Sequence, residues 1–277
     1  MTDHPPSRLV ALIQACHPGP TAVVTLVISA MALAAGRSLA GAVAMGLAGL
    51  AGQLSVGWSN DAHDAAGDIR ANRLDKPTVR GELTSAHLWS CALITLTMCV
   101  PLSFMAAGLR GGFAHLIAVA SAWAYNFYFK TTLLSWLPYA ISFGLIPAFV
   151  TYGLTPSHPP AMWLSIAAAL MGVGAHFANA LPDLESDASI DAGGAALALG
   201  RRRTSVVAVG LLLMAIAILI AHVNLGSAIS IAVVSISVLV IAAALRSRND
   251  KILFTVAMGL ALMAVVLLVI SSTSLSQ

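Results

Sequence analysis

Nine runs of mostly apolar residues, each about as long as a bilayer is thick, leave this chain few ways to fold. They lie at about 20–36, 39–58, 87–108, 112–129, 133–154, 161–181, 205–223, 225–245 and 252–271. A helix needs about 17 to 25 such residues to cross the hydrocarbon. Only 9% of the residues are charged, against about 25% in an ordinary soluble domain. The chain reads as an all-α integral membrane protein with nine transmembrane helices. Pro18 and Pro20 before the first run, Pro138 and Pro147 within the fifth and Pro182 after the sixth mark helix starts or kinks. A helical bundle in lipid shares one packing surface, so residues 1–277 are expected to form a single domain. The N-terminal stretch MTDHPPSRLVALIQ has no small-residue cleavage site, so the first run is expected to serve as an uncleaved insertion signal. Cys16, Cys91 and Cys99 form no CxxC pair and read as small apolar fillers.

With nine spans the connecting loops alternate between two sides. One side holds Arg8, Arg70, Arg73, Lys76, Arg80, Lys130, Arg201, Arg202, Arg203, Arg246, Arg248 and Lys251; the other holds Arg37 and Arg110. All the acids, from Asp3 to Asp250, fall on the basic side. The positive-inside rule makes that side cytoplasmic. The N-terminus and the acidic loops are therefore expected in the cytoplasm, and the C-terminus outside.

Nine of the eleven acids sit in two loops, about 59–86 and 182–204. The first begins Asn60-Asp61-x-x-Asp64-x-x-x-Asp68; the second reads Asn179-x-x-x-Asp183-x-Glu185-x-Asp187. Both contain Asn-x3-Asp-x3-Asp. The offset of four spans suggests an internal repeat, helices 1–4 recurring as 5–8 with the ninth left over. On a helix, spacings of four and eight keep side chains on one face, and Asp61 shares it with Asp68. A carboxylate at mid-membrane costs about 2.5–3.5 kcal/mol even on the lenient insertion scale, so these acids require a wet cavity or counter-cations. Hard divalent cations suit them: Mg²⁺ takes one or two carboxylates, waters and substrate phosphates. Glu185 is a ligand or a neighbour of one.

A diphosphate leaving group gathers charge as its bond to carbon breaks, so fixed cations should assist. Arg70, Arg73 and Lys76 follow the first acidic station, and Lys130 ends the fourth span in the stretch YNFYFK. Arg80 and the Arg201–Arg203 triplet read as inside-positive anchors. Tyr125 is the aromatic residue marked by its position, with a π face suited to an allylic cation, and Asn179 heads the second station; both are expected to contact substrate. His63 and His176 read as structural hydrogen-bonders.

These residues resemble the UbiA superfamily of intramembrane prenyltransferases. The resemblance covers nearly the whole chain. It rests on NDxxDxxxD at Asn60–Asp68, YxxxxK at Tyr125–Lys130 and DxxxD at Asp183–Asp187. It implies binding of a polyprenyl diphosphate with Mg²⁺, ionisation to an allylic cation, and capture by a lipophilic or aromatic acceptor. It assigns Asn60, Asp61, Asp64, Asp68, Asp183 and Asp187 to the metal–diphosphate site, with Asp64, Asp68, Asp183 and Asp187 catalytic, and Arg73 and Lys130 to the phosphates. The pattern departs in two places. Relatives often read RxxRP where this chain has Arg73-Leu-Asp-Lys76-Pro77, which keeps charge but loses bidentate geometry. Those that prenylate aromatic acids often carry an Arg-Pro pair near the first span, where this chain has His17-Pro-Gly-Pro20.

The expected activity is transfer of an isoprenoid chain within the inner (plasma) membrane, with no nucleic-acid partner. One alternative is an intramembrane terpene cyclase that needs no second substrate. A transporter is the other, although transport sites usually lie near the bilayer midplane and these acids cluster at one mouth.

Overall fold

The computed structural model describes residues 7–182, 184, 193–222 and 250–271, with five isolated positions between 231 and 242. Among these the secondary structure is helical throughout. The elements are α1 (Arg8–Ala15), α2 (Pro18–Ala34), α3 (Leu39–Arg70) and α4 (Ser85–Ala124), which runs into a π-helical turn (Tyr125–Phe129). They continue with α5 (Leu137–Gly144), α6 (Ile146–Tyr152), α7 (Met162–Ala180), α8 (Ala195–His222) and α9 (Asp250–Ser271).

Side-chain caps start the long helices. The Ser38 hydroxyl accepts the Gly41 N–H at 3.2 Å at the head of α3, and that of Thr84 accepts the His87 N–H at 3.2 Å at the head of α4. Each satisfies one of the backbone donors that a helix start leaves open. α2 begins instead on Pro18, whose missing N–H costs nothing there. It meets α1 at a 67° bend.

Among the described residues four helical stretches are long and apolar enough to cross a membrane: α3, Ser85–Phe129, α7 and α8. The bent pair α1 and α2 makes a fifth. Large apolar side chains stand exposed, Met105 at 80% and Met162 at 78% among them, as a surface bathed in lipid requires. The chain is a multi-pass, all-α membrane protein. The expected eighth span, about 225–245, lies mostly outside the described residues.

One expectation needs correction. The acidic stretch from residue 59 is not a loop: α3 continues unbroken to Arg70, so Asn60, Asp61, Asp64 and Asp68 are helical. The third and fourth runs stand as two helical arms that meet without a loop, within the continuous stretch Ser85–Phe129. At 1.5 Å per residue its 45 residues would span about 68 Å if straight. Gly108 breaks it with φ 65° and ψ −169°, angles open to glycine and closed to most residues. The chain doubles back there. Trp89 stacks on Phe127 with ring centres 5.9 Å apart, and Ser103 bonds His115 at 2.7 Å. Element α4 is thus an antiparallel hairpin whose apex is a single residue.

Around the molecule α2 packs on α3, α3 on α4, α4 on α5 and α6, α5 on α7, α7 on α8, and α9 on α8, α7 and α2. The helices close a ring. Its core holds Ile28, Met31, Met45, Phe149, Leu164 and Leu212, each at most 2% exposed. Small residues on α3 let its neighbours approach. A Cβ on Gly49 would stand 2.8 Å from Ile28, and one on Gly57 only 2.6 Å from the Cys16 carbonyl oxygen. At the far end from the acids, Arg37 stitches three elements: its guanidinium donates to the carbonyls of Gly153 after α6 and Ala106 at the α4 apex.

Candidate active site

The last three turns of α3 carry the first acidic station, and each acid meets a cation from elsewhere in the chain. Asp61 is 1% exposed. Its Oδ1 accepts Lys76 Nζ at 2.7 Å and faces His17 Nε2 at 3.0 Å. Asp64 pairs with the Lys130 ammonium. Asp68 lies 3.7 Å from the Arg73 guanidinium, which also reaches Asp75 at 3.3 Å. Three carboxylates on one helix therefore draw their partners from the α1–α2 bend, the 71–84 loop and the turn after α4.

Local structure fixes those partners. His17 takes φ 55°, a left-handed conformation. The Thr21 hydroxyl donates to the Cys16 carbonyl at 2.7 Å, and Trp58 Nε1 donates to the Leu12 carbonyl at 2.9 Å. The close approach at Gly57 completes this seat and presses the bend onto α3 beside Asp61. Within the 71–84 loop, Arg80 donates to both oxygens of Glu82, to Gln14 and to the carbonyls of Leu74 and Asp75. Its hydrogen bonds hold the Glu82 carboxyl below its ordinary value. Arg80 thus organises the loop that delivers Lys76, where the sequence had suggested only a topology anchor. Ser85 closes the loop by donating to the Ala62 carbonyl at 2.8 Å.

Lys130 is aimed by the π-turn. Its backbone N–H bonds the Tyr125 carbonyl, five residues back, at 3.0 Å. Asn126 in this turn is buried and donates to the Val56 carbonyl at 3.0 Å and the Ser59 hydroxyl at 3.1 Å, and it accepts Asn60 Nδ2 at 3.2 Å. This lone carboxamide locks the turn to α3 one residue before Asp61. Sequence reasoning passed over Asn126 and His17. A polar residue inside the apolar stretch YNFYFK was the available signal for the first; the second was legible only as a departure from the Arg-Pro pattern.

Asp61 Oδ2 and Asp68 Oδ2 are buried without a hydrogen-bond partner, as is Thr78 Oγ1 in the loop. Buried anionic oxygens left in that condition are costly, and they suit a hard cation. Among the described residues no three His, Cys, Asp or Glu side chains form a metal-sized cluster. The station alone is thus a partial shell, of the kind that Mg²⁺ completes with water and phosphate oxygens.

The other expected site residues are more scattered. Arg70 is exposed on the last turn of α3 and, among the described residues, makes no ion pair with the acids; its place there complements the helix dipole. Tyr125 lies in the π-turn, with its ring 5.1 Å from Tyr139 and 5.7 Å from His176. Asn179 is exposed near the end of α7, one turn beyond His176. Asp183, Glu185 and Asp187 lie outside the described residues. His63, within the station, sets its ring edge-on to Phe127 at 5.2 Å. Phe127 also lines an apolar cleft of about 350 Å³ between the arms of α4, with Leu96, Leu116, Val119 and Trp123.

Comparison with known proteins agrees with this architecture. The model of the UbiA prenyltransferase family matches residues 22–262. A solved structure described as digeranylgeranylglyceryl phosphate synthase in membranes superposes with a TM-score of 0.69 at 15% identity, covering 98% of this chain and 99% of its own. A UbiA homologue from Archaeoglobus fulgidus bound to DMAPP and Mg²⁺ gives 0.69 at 16% identity, covering 94% of this chain and 99% of its own. The apo structure of a UbiA homologue from Aeropyrum pernix K1 gives 0.66 at 19%, covering 87% and 94%. No curated protein matches the sequence significantly. Acids and cations gathered at one end of a helical ring, in a chain matched over most of its length, lead to one assignment: the protein belongs to the UbiA prenyltransferase family.

Proposed function

We propose that this chain is a Mg²⁺-dependent prenyltransferase that ionises a polyprenyl diphosphate and transfers its isoprenoid chain to an apolar or aromatic acceptor within the membrane. The observation that carries the reading is the convergence of Lys76, Lys130 and Arg73 on Asp61, Asp64 and Asp68, beside two buried carboxylate oxygens that lack partners. Homologues of the same fold that bind DMAPP or GPP with Mg²⁺ support it.

In this reading Asn60, Asp61, Asp64 and Asp68 hold the cations from one side and Asp183 and Asp187 from the other. Bound Mg²⁺ supplies neutralisation of the charge that builds on the diphosphate as the carbon–oxygen bond breaks. Arg73, Lys76 and Lys130 take the phosphate oxygens, with Arg70 at the rim. The cleft that starts at Phe127 accepts an apolar tail and excludes water from the allylic cation. Tyr125 and Asn179 face substrate, the first through its π face. The finer topology belongs to the same proposal: nine spans, helices 1–4 repeated as 5–8, a single unit over residues 1–277, and the acidic end toward the cytoplasm of the inner membrane. The antiparallel hairpin of α4 favours it by supplying two of the nine spans from one element.

Purified protein incubated with Mg²⁺, labelled geranyl diphosphate and a membrane lipid extract that supplies the acceptor tests the reading. Diphosphate release is expected, ended by EDTA and restored by Mg²⁺. Asp64→Ala should drop release by at least about 10³-fold while remaining folded in detergent. Wild-type turnover in that variant means the site is misplaced. A cyclic hydrocarbon formed without acceptor means the chain is a cyclase.

A further inference from the structure

Ser135 lies five residues beyond Lys130, in the segment between the π-turn and α5, and is 1% exposed. Its hydroxyl joins two distant parts of the chain. It accepts the backbone N–H of Ala195, at the start of α8, at 3.2 Å, and shares a hydrogen bond of 3.1 Å with Nε2 of His176 on α7. Beside this junction the Gly194 N–H donates to the Thr131 carbonyl at 3.1 Å. Gly193 passes so near that a Cβ would stand 2.5 Å from the same oxygen. His176 is itself wedged against Tyr139, ring centres 4.6 Å apart.

The segment that begins at Lys130 is therefore held at both ends. Upstream, the Lys130 N–H closes the π-turn on Tyr125; downstream, the Ser135 N–H bonds the Thr132 carbonyl at 3.1 Å, and the Ser135 hydroxyl ties the turn to α7 and α8. A lysine has a flexible four-carbon stem, so the aim of its ammonium depends on where its backbone is fixed. Removing the Ser135 hydroxyl strips a buried N–H and a buried imidazole of a partner at once, a condition that structures relieve by moving apart.

We infer that Ser135, anchored by His176, is a positioning residue that holds Lys130 in place for the diphosphate of the substrate. The inference rests on the assignment of Lys130 to diphosphate binding. Neither residue touches the substrate; both act through the backbone of the 130–135 segment.

A double-mutant cycle on the full-length protein in detergent tests it, with equilibrium binding of labelled geranyl diphosphate in saturating Mg²⁺ as the readout. Ser135→Ala should weaken binding about tenfold in the wild-type background and less than about twofold in the Lys130→Ala background, because its effect travels through that lysine. Equal losses in the two backgrounds, or no loss in either, overturn the inference. Wild-type affinity in Lys130→Ala alone overturns the diphosphate assignment instead, so the two failures are distinct. Should Ser135→Ala not yield monodisperse protein, His176→Phe takes its place in the cycle; it keeps a ring against Tyr139 and loses only the hydrogen bond.

Discussion

Lys76 reaches Asp61 through one oxygen alone: Nζ stands 2.7 Å from Oδ1, while Oδ2 of the same carboxylate is buried without a partner. His17, at 3.0 Å, shares the oxygen that Lys76 uses. The carboxylate thus has strong company on one side and none on the other.

Removal of Lys76 leaves a buried carboxylate with His17 as its remaining side-chain partner. Lys76→Met is expected to cost about 2–4 kcal/mol of stability, read as a lower thermal midpoint in detergent. Adding Asp61→Asn to that variant should restore most of the loss, because the charge left behind is the source of the penalty. A Lys76→Met midpoint equal to wild type would show that the ammonium contributes nothing to holding Asp61.

Arg37 works at the opposite end, where its guanidinium holds the carbonyls of Gly153 and Ala106. Arg37→Leu leaves both acceptors without their charged donor, at an expected cost of about 2–4 kcal/mol. Along α3 the acids lie about 33 to 44 Å away, so affinity for Mg²⁺ and geranyl diphosphate should stay within about twofold of wild type. A large loss of affinity with little loss of stability would contradict a purely architectural role.

Arg80 and Glu82 give the loop a pH dependence with a definite sign. The Arg80 hydrogen bonds, at 2.7 and 2.8 Å, hold the Glu82 carboxyl below its ordinary 4.5. The folded chain therefore binds this proton less readily than the unfolded one. The contribution is present above the ordinary value and fades as pH falls through the depressed one. Glu82→Gln should melt below wild type near neutral pH, and the gap should close in acid. A gap of constant size down to about pH 3 would assign it to packing instead of charge.

How much of this was legible follows from what side-chain spacing can encode. Asp61, Asp64 and Asp68 announced a shared helical face, and Lys130 stood out as a charge ending an apolar run; the structure joins Asp64 to Lys130. The split near residue 108 was also readable, since glycines cluster at 108, 111 and 112, although the hairpin spends one residue there where a loop had been expected. His17 was hidden because its partner is 44 residues away and its seat depends on a glycine, Gly57, whose role is to have no side chain. Asn126 was hidden because a π-turn has no sequence period of its own. Arg80 looked like any basic residue near a membrane until its five hydrogen bonds were seen together.

The turn at Tyr125–Phe129 has a consequence for how this corner tolerates change. An α-helix advances about 100° per residue, and a π-turn absorbs one residue more than the regular count. Tightening this turn to a regular helix with all its residues kept would swing everything beyond it by roughly that angle, carrying the Lys130 ammonium off the face that meets Asp64, whereas loss of one residue within 125–129 would regularise the helix and leave that bearing nearly unchanged. Exchanges of one side chain for another leave the angle alone. Here the width of the turn, which takes up one surplus residue, sets the bearing of the charge.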